Sequence, residues 1–231
     1  MMRPAVVILA AGSGTRFGHS TNKVWLPLHG RRIISHSLHN ATASFPDCRV
    51  LLVIDPADTK MAAEVVAREV PEIKIEFVTG GRTRHDSEFN ALKHLSSDIE
   101  AGHIDVVLIH DGARPLARSP LFNEIAQAAR IHGGALPAID VDALEIDIVT
   151  EDRIARVQTP QAFRAKEVLA AYIQADLEGF TGTDTAACME RYFPNTESVA
   201  VLGDVTNIKI TYPHDLELAE KIIAQRMSAQ I

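Results

Sequence analysis

The chain has 231 residues, of which 46% are hydrophobic and 23% charged, and its formal net charge at pH 7 is -7. This composition is typical of a soluble globular protein with one large domain or two small ones. The negative charge argues against a general nucleic-acid binder, which would need an excess of Lys and Arg. The two cysteines fit a reducing cytoplasm, and the sequence predicts neither a signal peptide nor a membrane span.

Short apolar runs alternate with stretches of helical spacing along the chain. The predicted strands are 5–11, 49–54, 74–78, 105–109 and 134–139. The predicted helices are 30–43, 58–69, 86–95, 119–132 and 164–175. This alternation predicts βαβ units and a mostly parallel sheet whose strands are buried on both faces. Ligands of such sheets bind beyond the carboxyl ends of the strands, so the residues after each run are the first candidates for a site.

The first run leads into a loop with Gly12, Gly14 and Arg16, and Lys23 follows seven residues later. A loop of small residues lets backbone N–H groups reach phosphate oxygens, and the two basic residues add positive charge. The third glycine, Gly18, comes one residue too late for a dinucleotide-binding fingerprint, and the P-loop pattern is absent from the sequence. A plain strand-to-helix turn is the alternative, but the basic residues favour a phosphate-binding loop.

The run ending at residue 78 is followed by a second glycine loop, from Gly80 to Ser87. Gly80 and Gly81 allow a flat ligand to approach the backbone closely. Asp86 or Ser87 is suited to cap the helix that follows. The functional interpretation is that the backbone and Ser87 hydrogen-bond the edge of a base.

The apolar run that ends at residue 109 is followed by His110 and Asp111, and then by Arg114. A carboxylate at a strand end is suited to hold Mg²⁺ or a ribose, because Mg²⁺ prefers oxygen ligands and bridges phosphates. The alternative is a structural pair between Asp111 and Arg114 that shapes the loop. We expect His110 to be a packed histidine and not a catalytic one.

The segment 136–157 alternates apolar and acidic residues around a polar turn, which predicts an antiparallel hairpin with one dry face. Such a hairpin is marginal by itself, so its apolar face needs a partner in the parent domain or in a second subunit. Further on, Thr159 is suited to cap a helix starting near Arg164. Lys209 lies in a predicted short strand, 207–211, where its ammonium must reach a partner, a ligand or solvent.

In this order, the segments resemble the 2-C-methyl-D-erythritol 4-phosphate cytidylyltransferase family and its polyol-phosphate cytidylyltransferase relatives. The resemblance spans almost the whole chain, and it depends on six motifs in register: 10–16, Lys23, 80–87, 110–115, 159–163 and 207–211 with 215–216. It implies an α/β fold with a single Rossmann-like domain over 1–231, helices on both faces of a mostly parallel sheet, and a protruding β-arm at 136–157. The arm is expected to build a homodimer.

The resemblance also implies a role for each matching residue. Arg16, Lys23 and Lys209 would be catalytic and hold phosphates. The substrate-binding residues would be Ala10, Ala11, Gly12, Gly14, Gly81, Ser87, Asp111, Arg114 and Thr159. Asp111 would also lie at the Mg²⁺, the expected cofactor. The implied substrates are CTP and a polyol phosphate, in a cytoplasmic enzyme without nucleic-acid or membrane partners.

The departures from the family pattern concern the acceptor. Family members usually carry Asp-Thr-x-Lys/Arg in the first arm strand, whereas this chain has Asp140, Val141, Asp142 and Ala143. An arm of this kind looks more like that of the ribitol-phosphate relatives, so a pentitol phosphate stays open beside methylerythritol phosphate. A non-catalytic nucleotide-binding domain is the other alternative. It would be expected to lose Lys23, Asp111 or Lys209, all of which are present.

Overall fold

An eight-stranded sheet with helices on both faces organises the chain in a computed structural model, which describes residues 3–12, 22–141 and 154–228. The strands are β1 (Arg3–Leu9), β2 (Pro27–Leu28), β3 (Arg31–Arg32), β4 (Arg49–Ile54), β5 (Ile75–Thr79), β6 (Ile104–Asp111), β7 (Gly133–Val141), β8 (Ile154–Val157), β9 (Gln161–Arg164) and β10 (Glu197–Leu202). The α-helices are α1 (Ile33–Thr42), α2 (Thr59–Glu69), α3 (Arg84–Glu100), α4 (Ser119–His132), α5 (Ala165–Glu178), α6 (Thr185–Tyr192) and α7 (Pro213–Ser228).

The main sheet has the order β10-β7-β9-β6-β1-β4-β5, and β8 pairs with β7. The pairs β1–β4, β1–β6, β4–β5 and β7–β10 are parallel, while β9 runs antiparallel to both β6 and β7. The mostly parallel sheet is therefore confirmed. The β2–β3 ribbon forms a separate two-stranded sheet.

Alternate side chains of β1 pack into two separate hydrophobic cores. Val6 and Ile8 pack into the core that α1, α2 and α4 cover. Ala5 and Val7 pack into the core on the opposite face, which α3, α5 and α6 cover. All four side chains are completely buried, because a parallel strand with helices on both faces has no solvent side. The expected helices on both faces are confirmed.

The carboxyl ends of the parallel strands lie at one edge of the sheet and are joined by backbone hydrogen bonds between neighbouring loops. The N–H of Gly80 donates to the carbonyl of Ile54 at 2.8 Å, and the N–H of Gly112 donates to the carbonyl of Leu9 at 2.9 Å. A side chain at Gly112 would come within 2.7 Å of Ile34. This close packing fixes the loops that follow β1, β5 and β6 relative to one another.

The base of the predicted hairpin is confirmed. Strands β7 and β8 pair antiparallel, with Ala138 opposite Val157 and Val141 opposite Ile154. The rest of the predicted arm, 142–153, lies outside the described residues. Across the described part of the chain, no helix combines the length and the apolar character that a membrane span requires.

The five predicted strands and five predicted helices of the sheet all occur, with shifted ends, but the additional strand predicted at 207–211 does not. The segment 207–211 is not a strand, because it follows a turn and makes no ladder among the described strands. The N–H of Ile210 instead donates to the carbonyl of Ala113 at 2.9 Å, which fastens the segment to the loop after β6. The segments β9, α6 and β10 were not predicted.

Candidate active site

A cleft of about 580 Å³ opens at the carboxyl ends of β1, β5 and β6. The described residues that line it are Leu9, Ala10, Ala11, Gly12, Asn22, Lys23, Val24, Asp55, Gly81, Arg82, Thr83, Arg84, Ser87, Asp111, Ala113 and Lys209. Four of these residues are basic and two are acidic. The cleft therefore suits an anionic ligand, although the whole chain carries a net negative charge.

One wall of the cleft is formed by the end of β1 and a short 3-10 helix, Lys23–Trp25. The side-chain amide of Asn22 donates to the carbonyl of Ala10 at 2.6 Å, and its oxygen accepts the N–H of Val24. These two bonds bring Lys23 next to the small residues after β1. A side chain at Gly12 would meet none of the described residues within 4 Å.

Asp111, the last residue of β6, is the most strongly paired carboxylate of the cleft. Its Oδ1 accepts from Nη1 of Arg84 at 2.6 Å, and its Oδ2 lies 2.8 Å from Nζ of Lys209. Nε of Arg114 approaches the same Oδ2 at 3.6 Å. Burial alone would raise the pKa of Asp111, but the charges of Arg84 and Lys209 outweigh it and hold the pKa well below its ordinary value. Asp111 is therefore ionised at neutral pH.

Arg84 is held between Asp111 and a second carboxylate. Its Nε donates to Oε1 of Glu88 at 2.8 Å, one helical turn further along α3. Glu88 is completely buried, and it also accepts hydrogen bonds from the hydroxyls of Tyr172 and Thr185. Burial raises the pKa of Glu88, against the opposing effect of the Arg84 charge. The cleft residue Arg84 thus has its orientation set from within the core.

Thr159 supports Asp111 from behind the cleft. Its hydroxyl accepts the backbone N–H of Asp111 at 3.0 Å and lies 3.0 Å from Nδ1 of His110. The predicted helix cap at Thr159 is wrong, since α5 begins after Arg164 without a side-chain cap. His110 is completely buried against Phe122, and burial lowers its pKa to about 4, so it is a neutral, packed histidine as expected.

Arg114 fixes the segment that carries Lys209. Its Nη1 donates to the backbone carbonyl of Asn207 at 2.7 Å. The side chain of Asn207 is buried and donates to the carbonyl of Thr159 at 3.0 Å. Together with its approach to Asp111, this makes Arg114 a link between the loop after β6 and residues 207–209. The structural pairing of Arg114 with Asp111 therefore exists.

The loop from Gly80 to Ser87 is closed by its own hydrogen bonds. The hydroxyl of Ser87 accepts the N–H of Gly81 and donates to the carbonyl of Thr83, both at 3.0 Å. The cap of α3 is Thr83, and Asp86 completes a capping box with it, so Asp86 contributes as predicted while Ser87 does not cap. A side chain at Gly81 would overlap Asp86. The tight turn therefore requires glycine at this position.

The carboxylates that line the cleft are suited to only one way of binding Mg²⁺. Among the described residues, no group of three or more His, Cys, Asp or Glu side chains is arranged to hold a metal ion. Mg²⁺ often binds through one or two carboxylates and takes its other ligands from water and substrate phosphates. Asp111, ionised and facing the cleft, fits that mode.

The family model described as IspD, 2-C-methyl-D-erythritol 4-phosphate cytidylyltransferase, matches residues 5–225. The chain belongs to this family. Relatives bearing the name 2-C-methyl-D-erythritol 4-phosphate cytidylyltransferase include that of Aquifex aeolicus, 40% identical over 94% of this chain and 96% of the relative. Those of Cereibacter sphaeroides and Geobacillus kaustophilus are 39% and 35% identical, covering 96% and 98% of this chain and 98% and 100% of the relatives.

Solved structures of the 2-C-methyl-D-erythritol 4-phosphate cytidylyltransferase family share the fold. The 4-diphosphocytidyl-2C-methyl-D-erythritol synthase of Anaerococcus prevotii superposes with a TM-score of 0.79 and is 25% identical, covering 96% of each chain. The 2-C-methyl-D-erythritol 4-phosphate cytidylyltransferase of Thermus thermophilus superposes with a TM-score of 0.69 and is 28% identical, covering 96% of this chain and 98% of the other.

The fold brings together most of the site residues that the resemblance implied for this cytidylyltransferase family member. Eight of them line the cleft, namely Ala10, Ala11, Gly12, Lys23, Gly81, Ser87, Asp111 and Lys209. Arg114 and Thr159 stand behind Asp111, outside the described lining. Gly14 and Arg16 lie outside the described residues. The catalytic and binding roles of all these residues stay predictions.

Sequence reasoning did not single out Arg84, Asn22 or Glu88. Arg84 carried a usable signal, because it is the first residue of α3 and the positive end of the helix dipole disfavours a cation there. An arginine in that position indicates a carboxylate partner nearby. Glu88 offered no such signal, since its partners Tyr172 and Thr185 are far away in sequence.

Proposed function

We propose that this protein transfers the cytidylyl group of CTP to 2-C-methyl-D-erythritol 4-phosphate, which forms 4-diphosphocytidyl-2-C-methyl-D-erythritol and releases pyrophosphate. The observation that carries the proposal is the set of charges around Asp111. A buried carboxylate is held by Arg84 and Lys209 at the floor of a basic cleft, in a chain that belongs over almost its whole length to this enzyme family.

The reaction needs charge stabilisation more than a strong base. An oxygen of the acceptor phosphate, already anionic at neutral pH, forms a bond to the α-phosphorus of CTP. The bond from that phosphorus to the bridging oxygen of the β-phosphate breaks, and its electron pair leaves with pyrophosphate. Catalysis then consists of in-line positioning and stabilisation of the negative charge that builds up on the phosphoryl oxygens.

Three basic residues are proposed for this stabilisation. Lys209 has its ammonium at Asp111 and keeps 37% of its side chain exposed, so the same group can reach a phosphate in the cleft. Lys23 also lines the cleft, in the 3-10 helix held next to the small residues that follow β1. Arg16 lies between Gly12 and Lys23 in the sequence. From the resemblance, it is proposed to hold the triphosphate.

The remaining binding roles are proposed from the same resemblance. Ala10, Ala11, Gly12 and Gly14 would line the nucleotide loop, and Gly81 with Ser87 would read the cytosine. Because the Ser87 hydroxyl already serves two backbone partners, its contact with a base would use its remaining acceptor lone pair. Thr159 and Arg114 would act by holding Asp111 and the segment of Lys209.

We propose Mg²⁺ as the cofactor, held by Asp111. Bound there, Mg²⁺ would supply positive charge that neutralises part of the charge of the substrate phosphates. The protein's own contribution is to keep the carboxylate ionised, which the charges of Arg84 and Lys209 do, while Thr159 holds the backbone of Asp111. Activity is expected to disappear in EDTA and to return with added Mg²⁺.

The acceptor is the finer part of the proposal, since the arm departs from the family pattern at Val141 and Ala143. The relatives from Aquifex aeolicus, Geobacillus kaustophilus and Cereibacter sphaeroides bear the methylerythritol name, which favours that acceptor over ribitol 5-phosphate. The decisive experiment measures pyrophosphate release from CTP with each acceptor and identifies the product by mass spectrometry. Release with ribitol 5-phosphate alone would overturn the acceptor, and release with neither would favour a nucleotide-binding module.

We further propose a cytoplasmic homodimer of single-domain subunits spanning 1–231, with the arm at 136–157 as the contact. The continuous sheet supports one domain. Exposed apolar side chains near the base of the arm, Val157 and Leu202, support a second subunit as their cover. The free thiols Cys48 and Cys188 support a reducing compartment. Sedimentation equilibrium of the full chain tests the dimer.

A further inference from the structure

A buried carboxylate lies directly behind the cleft without lining it. Glu88, in the second turn of α3, has no exposed surface. Its Oε1 accepts from Nε of Arg84 at 2.8 Å and from the hydroxyl of Thr185 at 3.2 Å. Its Oε2 accepts from the hydroxyl of Tyr172, which is itself completely buried. All three partners donate hydrogen bonds, so they fit a carboxylate, which accepts them.

Burying a carboxylate is costly unless its partners are well placed, and an apolar pair often stabilises a fold as well. Stability alone is therefore a weak explanation for Glu88. The more specific consequence of its position concerns Arg84, the one partner of Glu88 that lines the cleft. Arg84 occupies the first turn of α3, where the helix dipole opposes a cation. The carboxylate one turn further along offsets that repulsion and fixes the guanidinium.

We propose that Glu88 is a positioning residue for the reaction, acting through Arg84 on the Asp111 carboxylate. The geometry is a continuous series of contacts, from Glu88 Oε1 to Arg84 Nε and from Arg84 Nη1 to Asp111 Oδ1. The other Asp111 oxygen then meets Lys209. This inference rests on the proposed function, because it gives the role of Asp111 and Lys209 in that reaction its structural cause.

The loss of Glu88 would change how the side chains of Arg84 and Asp111 are oriented, without removing any group from the cleft. Arg84 would keep only Asp111 as a carboxylate partner, and its guanidinium could turn about that single contact. Asp111 would lose the fixed partner of Oδ1, and Lys209 shares the same carboxylate. Small displacements of this kind slow a transfer that depends on in-line geometry.

The first test replaces Glu88 by Gln, which keeps the shape but removes the charge and mispairs one donor. We expect kcat to fall about 10- to 100-fold, as for the loss of other groups that orient a ligand residue from behind. The matched control is Tyr172→Phe, which removes a hydrogen bond to the same carboxylate on the side away from Arg84. It should lower the melting temperature while kcat stays close to that of the wild type.

The second test is a double-mutant cycle with Arg84→Gln, measured as kcat/KM. If Glu88 acts through Arg84, Glu88→Gln should cost little more activity once Arg84 is replaced. The proposal would be overturned if the two substitutions lowered kcat/KM by independent factors that multiply in the double variant. An unchanged kcat in Glu88→Gln would also overturn it. So would a Tyr172→Phe variant that loses as much kcat as Glu88→Gln. If Glu88→Gln does not fold, Glu88→Met, an apolar side chain of similar length, replaces it in the cycle.

The two proposals fail in different ways. A wild type that releases no pyrophosphate with either acceptor contradicts the proposed reaction. The same cycle is then measured by calorimetry as the Kd for CTP with Mg²⁺. Non-additive losses of CTP affinity would keep the positioning role, and additive or absent losses would reject it.

Discussion

The cleft and the sequence of the arm at 136–157 differ in their balance of charges. In the cleft, Asp111 is buried among Arg84, Arg114 and Lys209, and each of these side chains has a second anchor or a defined approach. In the arm sequence, acidic residues dominate: Asp140, Asp142, Glu145, Asp147, Glu151 and Asp152. The contrast predicts that CTP binding depends on the cleft at the edge of the sheet, whereas binding of the acceptor depends on the arm, which has a different charge pattern.

The strongest challenge to this contrast is the removal of a cleft cation. We expect Lys209→Ala and Lys23→Ala each to lower kcat by at least about 100-fold, because each would remove a donor that stabilises the transition-state charge. Steady-state pyrophosphate release at saturating substrates measures this. Near-normal turnover in either variant would mean that the cleft is not the site of transfer.

The next largest effect is expected on stability. Asp111→Asn keeps the shape but leaves the three neighbouring cations without their carboxylate, so urea unfolding in EDTA should show a loss of about 3–5 kcal/mol. The folded pKa of Asp111 lies below its unfolded value of about 3.9. Its contribution is therefore complete above that pH and is lost as the pH falls further.

The Asn variant should lack this part of the acid dependence. Parallel pH–stability curves for the wild type and Asp111→Asn below pH 4 would contradict the assigned charge network.

A moderate effect is expected from restoring the family pattern in the arm. The double variant Val141→Thr and Ala143→Lys should lower the KM for methylerythritol phosphate about tenfold, the value of one charge-assisted hydrogen bond. The KM for CTP should not change. An equal change in both KM values would show that the arm and the cleft are not separate in function.

The smallest effect distinguishes two glycines of the cleft. Gly12→Ala adds a methyl group that meets none of the described residues within 4 Å, so the free energy of unfolding should change by less than about 0.5 kcal/mol while the KM for CTP rises. Gly81→Ala would overlap Asp86 and should lower stability as well. Equal stability losses in the two variants, read from urea unfolding, would contradict the difference in their surroundings.

The parts of the fold that depend on local pattern were predictable. Continuous apolar runs such as 105–109 marked the buried strands, and the switch-point rule led to Gly12, Gly81 and Asp111. The segment 207–211 failed because its apolar residues pack against the loop after β6 and not along a strand ladder. Short elements such as β9 form because of neighbours far away in sequence, and the hydrophobic periodicity of a local segment does not show those neighbours.

The same limit applied to the candidate site. Charged groups at strand ends could be found one by one, whereas the contacts that orient them could not. Arg84 is held by Glu88, which also accepts hydrogen bonds from Tyr172 and Thr185 of α5 and α6. Thr159 was expected at a helix start, but its hydroxyl serves Asp111 across the sheet. These pairings belong to the tertiary structure.

The join between β8 and β9 has a consequence for engineering. Val157 ends the returning strand of the arm, and two residues later Thr159 supports Asp111. Gln158, between them, is buried and bonded to the Asp204 and Asn207 carbonyls. If the arm is exchanged between relatives in order to change the acceptor, the replaced segment should therefore end at Val157. From Gln158 onward, the chain helps to hold Asp111 and the segment before Lys209 at the cleft.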